Sequence, residues 1–181
     1  MLSPLADFFA RDTLVVAREL VGAILAVGSC TGRIVETEAY TTDAASHTVT
    51  RRHKAAIMRE TFGHVYVYKI YGMHYCLNFT TERDGIGAVL IRAVEPLTGM
   101  KLMARRRGLA EPRQLASGPG RLCQAFKIDL ADNGAVIGKR IRVLPRTEEP
   151  EIVTGPRVGI SAALDLPWRF SEDGNRFVSR G

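Results

Sequence analysis

The chain has 181 residues, 46% of them hydrophobic, and carries 25 Lys and Arg against 19 Asp and Glu for a net charge of +6. That length and composition suit one globular domain that buries about 70% of its unfolded surface and needs no staples. No apolar run reaches the roughly 18 residues that span a bilayer. The N-terminus MLSPLADFFARD lacks the basic segment and apolar stretch of a secretory signal. Cys30, Cys76 and Cys123 are too widely spaced for a disulfide framework or a zinc pattern, so a reducing cytoplasm is the expected compartment.

The charge is unevenly placed. Residues 1–90 hold 9 basic and 9 acidic side chains, and residues 91–181 hold 16 and 10. Arginine supplies 20 of the 25 basic residues. Guanidinium matches phosphate oxygens bidentately, so the second half suggests phosphate contact. A GC-rich coding preference on a solvated face explains the same numbers.

In chain order, the first helix is expected over Asp12–Leu20, capped by Asp12 or Thr13 and ended near Gly22. Two β-rich runs follow, Ala23–Val27 and Arg33–Tyr40, joined as a hairpin through Gly28–Gly32. Residues 41–62 read as polar and irregular, with a basic cluster Arg51-Arg52-His53-Lys54. A third run, His64–Ile70, turns at Tyr71-Gly72-Met73 into a fourth, Tyr75–Thr80. After a turn at Asp84-Gly85 comes a fifth, Ala88–Val94. Thr98 stands as a cap for a helix over Gly99–Arg107, whose arginines suit a helix C-terminus. Ser117-Gly-Pro-Gly opens another helix that runs to Gln124 or Phe126. Lys139–Leu144 reads as an exposed strand and Arg157–Ile160 as a short one. The sum is an α+β single domain with a central curved antiparallel sheet flanked by helices.

Three features have chemical potential. Glu36, Glu38 and Tyr40 alternate onto one strand face. Acids are rarely buried, so a solvent-exposed edge is the plain expectation for that strand. All five tyrosines lie between positions 40 and 75. They suit ordinary cross-strand packing, or else a π-walled slot for a flat ligand with one aromatic wedge at the turn. Gly118-Pro-Gly120 ahead of a helix is either an anion site or a plain helix start. Arg92 lies on the apolar run Val89–Val94, where an unpaired cation is expensive, so a carboxylate partner is expected. His47, His53, His64 and His74 have no metal spacing, and no metal or cofactor is expected. Nucleotide-loop and serine-hydrolase motifs are absent.

Several blocks, taken in order, resemble the alkyladenine (3-methyladenine) DNA glycosylase family. They are Ile34-Val-Glu-Thr-Glu-Ala-Tyr40, Ser46-His47, Val65-Tyr-Val-Tyr68, Tyr71-Gly-Met73 and Cys76-Leu-Asn78. The series continues through Val89–Pro96, Ser117–Ala125, Arg157–Ile160 and Trp168–Phe170, and so spans nearly the whole chain. The resemblance implies a fold like the C-terminal domain of methionyl-tRNA formyltransferases. It implies an enzyme of base excision repair that flips an alkylated or deaminated purine out of double-stranded DNA and hydrolyses its N-glycosidic bond. The implied substrates are 3-methyladenine, with hypoxanthine and ethenoadenine beyond it.

The resemblance also implies roles. Glu38 activates water, Arg92 helps hold that water, and the Val158 carbonyl binds it. Tyr40 and Tyr68 stack on the two faces of the base, His47 contacts its edge, and Asn78 discriminates against guanine. Tyr71 is the wedge that fills the gap in the duplex, with Met73 beside it. Arg92 is expected to lower the Glu38 pKa and keep it ionised. For DNA phosphates the expected contacts are Arg51, Arg52, Lys54, Arg105, Arg106, Arg107 and Arg121. The protein is expected to act as a monomer in the cytoplasm, at the nucleoid. Two other readings differ in what they need. A non-catalytic nucleic-acid-binding module has no use for Glu38 with Arg92, and a lyase needs an amine nucleophile among only five lysines.

Overall fold

A computed structural model describes residues 4–51 and 55–180. Helix α1 covers Pro4–Phe9, and α2 covers Thr13–Leu20. Asp12 caps α2 by accepting from the Leu14 and Val15 amides at 2.9 and 3.1 Å. Strands β1 (Ile24–Val27) and β2 (Cys30–Tyr40) form a hairpin whose loop is only Gly28 and Ser29, since Val27 pairs with Cys30. The turn is therefore tighter than the glycine spacing suggests. The segment expected to be irregular contains two short helices, α3 (His47–Thr50) and α4 (Ala56–Glu60).

Strands β3 (Val65–Ile70), β4 (His74–Thr81) and β5 (Gly87–Thr98) continue the meander. Three helices then pack on it: α5 (Met100–Arg107), α6 (Pro112–Leu115) and α7 (Pro119–Phe126). Gly99, in a left-handed conformation, stands at the N-cap of α5 in place of Thr98. Strands β6 (Ile141–Leu144), β7 (Ile152–Gly155) and β8 (Arg169–Glu172) complete the sheet.

The strand order is β3-β4-β5-β2-β1-β6, antiparallel throughout. Strand β1 pairs residues 30–33 of β2, and β8 takes over along Glu36–Glu38, with β7 beyond it. Three register shifts interrupt the long β2–β5 pair, one between Thr31 and Gly32 and two bulges beside the site. Ile34 pairs Val94 and Glu36 pairs Ala93, which leaves Val35 extra. Glu36 pairs Ala93 and Thr37 pairs Ile91, which leaves Arg92 extra. Such bulges bend a strand and re-aim the extra side chain.

The strand period of two sorts the sheet into two faces. Val65, Val67, Leu77, Phe79, Val89 and Ile91 face the main core, where α2 and α7 contribute Val16, Leu20, Leu122 and Phe126. The alternate residues, Tyr66, Tyr68, Asn78, Leu90 and Arg92, line a cleft on the other face. The apolar face thus anchors the rigid scaffold, and the same strands carry Tyr68, Asn78 and Arg92 on the reverse.

Arg157–Ile160 is not a strand: it is a loop that follows β7, with Gly159 at φ 76°. Its Val and Ile content mimics a strand, but the left-handed turn breaks it. The strand expected over Lys139–Leu144 begins at Ile141, an edge strand that buries Ile141 and Val143. No helix among the described residues is long and apolar enough to cross a membrane.

Candidate active site

Glu36 and Glu38 are fully buried, and the expected exposed edge is absent because β8 and the C-terminal segment cover it. Buried carboxylates demand partners. The Glu38 Oε1 accepts from the Val158 amide at 2.7 Å and lies 3.3 Å from Arg92 Nη1. Its Oε2 accepts from the Tyr40 hydroxyl at 2.7 Å. The expected carboxylate partner of Arg92 is therefore double, since its Nε donates to Glu36 Oε1 at 3.3 Å. The Val158 contribution to Glu38 is its N–H.

Burial dominates the acidity of Glu38 and raises its pKa above the ordinary 4.5, against the opposing pull of Arg92, the Val158 N–H and Tyr40. The lowering expected from Arg92 is present but is outweighed. Desolvation here makes Glu38 a stronger base than a solvated glutamate. Burial and the adjacent Glu38 charge also push the Tyr40 phenol far above its usual range, so Tyr40 stays a proton donor.

Above this corner opens a cleft of about 520 Å³, with Tyr40, His47, Tyr68, Asn78, Arg92 and Val158 on its walls. Its aromatic side is a packed set. Tyr66 and Tyr68 tilt at 43° with centroids 5.5 Å apart, and His47 meets Tyr68 edge-on at 4.4 Å. A 2.8 Å hydrogen bond links His47 Nδ1 to the Tyr66 hydroxyl and fixes the ring where α3 begins. Ser46 caps that helix by accepting from the Thr48 amide. Asn78 is pinned across the strands, with Nδ2 donating to the Tyr66 carbonyl at 3.1 Å and the Cys76 carbonyl at 3.3 Å. That fixes its orientation at the cleft wall.

Arg157 was not singled out by sequence, yet it organises the opposite wall. It is 4% exposed and stacks on Tyr40 at 4.7 Å and on Trp168 at 5.2 Å. It donates to Asp43 at 2.7 and 3.2 Å and to the Ala39 carbonyl at 2.9 Å. Burial raises the Asp43 pKa, but Arg157 and two backbone amides outweigh it and hold that carboxyl below its usual value. The only sequence signal was an arginine immediately ahead of Val158.

Tyr71 and Met73 project from the β3–β4 turn, 85% and 68% exposed. Tyr71 adopts φ 49°, a left-handed conformation that a non-glycine residue takes at a cost. Beyond this turn lies a wider groove of about 930 Å³, which shares Ile70, Tyr71, Arg92 and Pro119 with the first cleft. Arg107, Arg113, Arg121, Arg176 and Arg180 line it, with Glu111 the only acid on its walls among the described residues. Burial and the neighbouring Arg121 cation push Arg107 below its ordinary value. At Gly120 a β-carbon would sit 3.1 Å from His74, so glycine lets the start of α7 close onto the hairpin beside Tyr71.

The expected phosphate contacts divide. Arg107 and Arg121 line the arginine groove, and Arg51 lines the tyrosine cleft. Arg106 turns away and donates to the Ala125 carbonyl at 2.8 Å, tying α5 to α7, and neither it nor Arg105 lines either cleft. Arg52 and Lys54 lie outside the described residues. Arg113, Arg176 and Arg180 were missed because chain folding, not spacing, gathers them.

A buried carboxylate thus stands behind the wall of an aromatic cleft, which adjoins an arginine-lined groove. The methylpurine-DNA glycosylase family matches residues 7–176. A protein of Rhodopseudomonas palustris named "Putative 3-methyladenine DNA glycosylase" is 49% identical, with 96% of this chain and 86% of the relative aligned. Proteins of the same name from Nitrosospira multiformis and Agrobacterium fabrum are 47% and 48% identical, covering 99% and 96% of this chain and 95% and 91% of theirs. The chain belongs to the methylpurine-DNA glycosylase family, DNA-repair hydrolases that act on N-glycosidic bonds.

Proposed function

We propose that this protein is a monofunctional, monomeric glycosylase that removes alkylated or deaminated purines from double-stranded DNA, chiefly 3-methyladenine, with hypoxanthine and ethenoadenine as further substrates. The observation that carries the reading is the buried Glu38 carboxylate held directly behind the tyrosine cleft by Arg92, Tyr40 and the Val158 amide, three residues that line it. A carboxylate oxygen can accept two hydrogen bonds; Oε1 has the Val158 amide and Arg92, and Oε2, which accepts from Tyr40, keeps a lone pair for water.

A base inside the duplex is out of reach and must be flipped, at a cost of a few kcal/mol. Tyr71 offsets that cost by filling the vacated stack, with Met73 beside it. The purine stacks between Tyr40 and Tyr68, with His47 at its edge and Asn78 set to clash with a guanine amino group. A 3-alkylated adenine is cationic, so the tyrosine faces attract it by about 1–2 kcal/mol more than a neutral base. Its glycosidic bond is already weak. Glu38 takes a proton from water as that water attacks C1′ on the face opposite the departing base, as in inverting glycoside hydrolysis. Arg92 and the Val158 carbonyl hold the water, and no cofactor is needed. Arg107 and Arg121, with Arg51, Arg52, Lys54 and Arg105, face phosphates.

No lysine lines either cleft among the described residues, which favours hydrolysis over an amine nucleophile. The test is release of free base from alkylated duplex DNA, with borohydride added in parallel. Free 3-methyladenine without a trapped protein–DNA adduct is the expected result. A trapped adduct, or no release, would contradict the reading.

A further inference from the structure

Behind Glu38 lies a second carboxylate that the proposed reaction does not use. Glu36 has no exposed surface, and both its oxygens are engaged. Arg92 Nε and Arg169 Nη1 each donate to Oε1 at 3.3 Å, and the Ser179 amide donates to Oε2 at 2.9 Å. Arg92 Nη2 in turn donates to the Ser179 hydroxyl at 3.3 Å. The guanidinium of Arg92 is thus held on three sides, by Glu36 at Nε, Ser179 at Nη2 and Glu38 at Nη1. The bulge that makes Arg92 an extra residue of β5 delivers it to this position.

We propose that Glu36 is a positioning residue for the water-activating carboxylate, and that it works by fixing the Arg92 guanidinium together with the C-terminal Ser179. The inference rests on the reading of Glu38 as the base. Its physical content is twofold. A planar guanidinium locked along its Nε edge presents Nη1 to Glu38 in one orientation. Glu36 also supplies a second negative charge to Arg92, so the cation is shared and does not act wholly on Glu38. Left alone with Arg92, Glu38 would be a weaker base.

The groups facing Glu38 are Arg92 from β5, Glu36 and Tyr40 from β2, Cys76 from β4 and the Val158 amide. Arg169 from β8 faces Glu36. The like charge of Glu36 raises the Glu38 pKa, the direction this role requires. Phe177 packs with Val35 and Ala93, the residues around the two bulges, and so seats the tail that brings Ser179 to the pair.

The test is the pH dependence of single-turnover base release on alkylated duplex for wild type, Glu36→Gln, Arg169→Gln and Ser179→Ala, with Glu38→Gln as reference. Glu36→Gln keeps the side-chain volume and an acceptor. It should slow release by about 100-fold, the cost of a small misplacement near the reacting atoms, and move the acid limb to lower pH. Arg169→Gln removes a cation from the same cluster and should move the acid limb to higher pH. Ser179→Ala should slow release less than Glu36→Gln does, because one donor is lost and no charge. Opposite shifts from the two charge variants are not produced by a merely structural loss. If Glu38→Gln is inactive while both limbs stay at the wild-type pH, Glu36 has no positioning role, whatever the rates. If Glu38→Gln keeps the wild-type rate, it is the reading of Glu38 as base that fails.

Discussion

The charges buried behind the tyrosine cleft are paired internally, whereas the arginine groove across Tyr71 leaves its charges turned outward. Behind the cleft walls, Glu36 and Glu38 share Arg92, and Asp43 takes Arg157. In the groove, Arg107 and Arg121 stand close enough for one to disfavour the charge of the other, and Glu111 is the only acid along the walls among the described residues. Internally paired charge makes a stiff, dry site suited to discrimination and chemistry. Unpaired cations side by side make a surface that is relieved only by an external anion. The first region should respond to mutation in rate and lesion preference, and the second in affinity and salt dependence.

Four measurements can break that division. The largest effect is expected from acid. Glu38 must be ionised to accept a proton, and its pKa is raised above 4.5, so activity should vanish as pH falls through a value above that. A single-turnover pH profile checks this, and full activity maintained below that pH would sink it. Next, Tyr68→Leu removes one stacking face. Stacking contributes about 1–3 kcal/mol per base, so affinity for lesion duplex should fall roughly 10- to 100-fold with undamaged-duplex affinity unchanged, as read by fluorescence anisotropy. An equal loss on both duplexes would move Tyr68 from recognition to general binding.

In the groove, Arg107→Ala and Arg121→Ala should each reduce the slope of log affinity against log salt by about 0.9, without altering the rate at saturating protein. A salt series on duplex carrying an abasic analogue tests this, and an unchanged slope would remove these residues from the phosphate path. The smallest effect is on stability. Tyr71 is 85% exposed, so Tyr71→Ala should change stability by no more than about 0.5 kcal/mol while weakening lesion recognition. A large loss in thermal unfolding temperature would show that Tyr71 is a structural residue.

Much of the cleft was legible because strand alternation is simple. Glu36, Glu38 and Tyr40 read as one face, as did Tyr66 and Tyr68, and the Tyr71 turn followed from Gly72. The need for a carboxylate beside Arg92 followed from its apolar strand. The direction of the Glu38 shift did not, because spacing says nothing of how much burial opposes a nearby cation. The bulges at Val35 and Arg92 carry no glycine or proline to mark them. Strand β8 joins β2 across more than 100 positions, so the cover it places over Glu36 was invisible in local pattern. The arginine groove draws Arg107, Arg113 and Arg121 from the α5–α7 region and Arg176 and Arg180 from the tail. Charge count pointed to Arg107 and Arg121 but not to Arg113, Arg176 and Arg180, and it also enlisted Arg106, which ties α5 to α7.

The most direct test of the account is a paired determination, on one alkylated duplex, of affinity and single-turnover base release for Glu38→Gln. The account predicts wild-type affinity with release slowed by about 100- to 10,000-fold, the range of a lost general base. Release at the wild-type rate would contradict it.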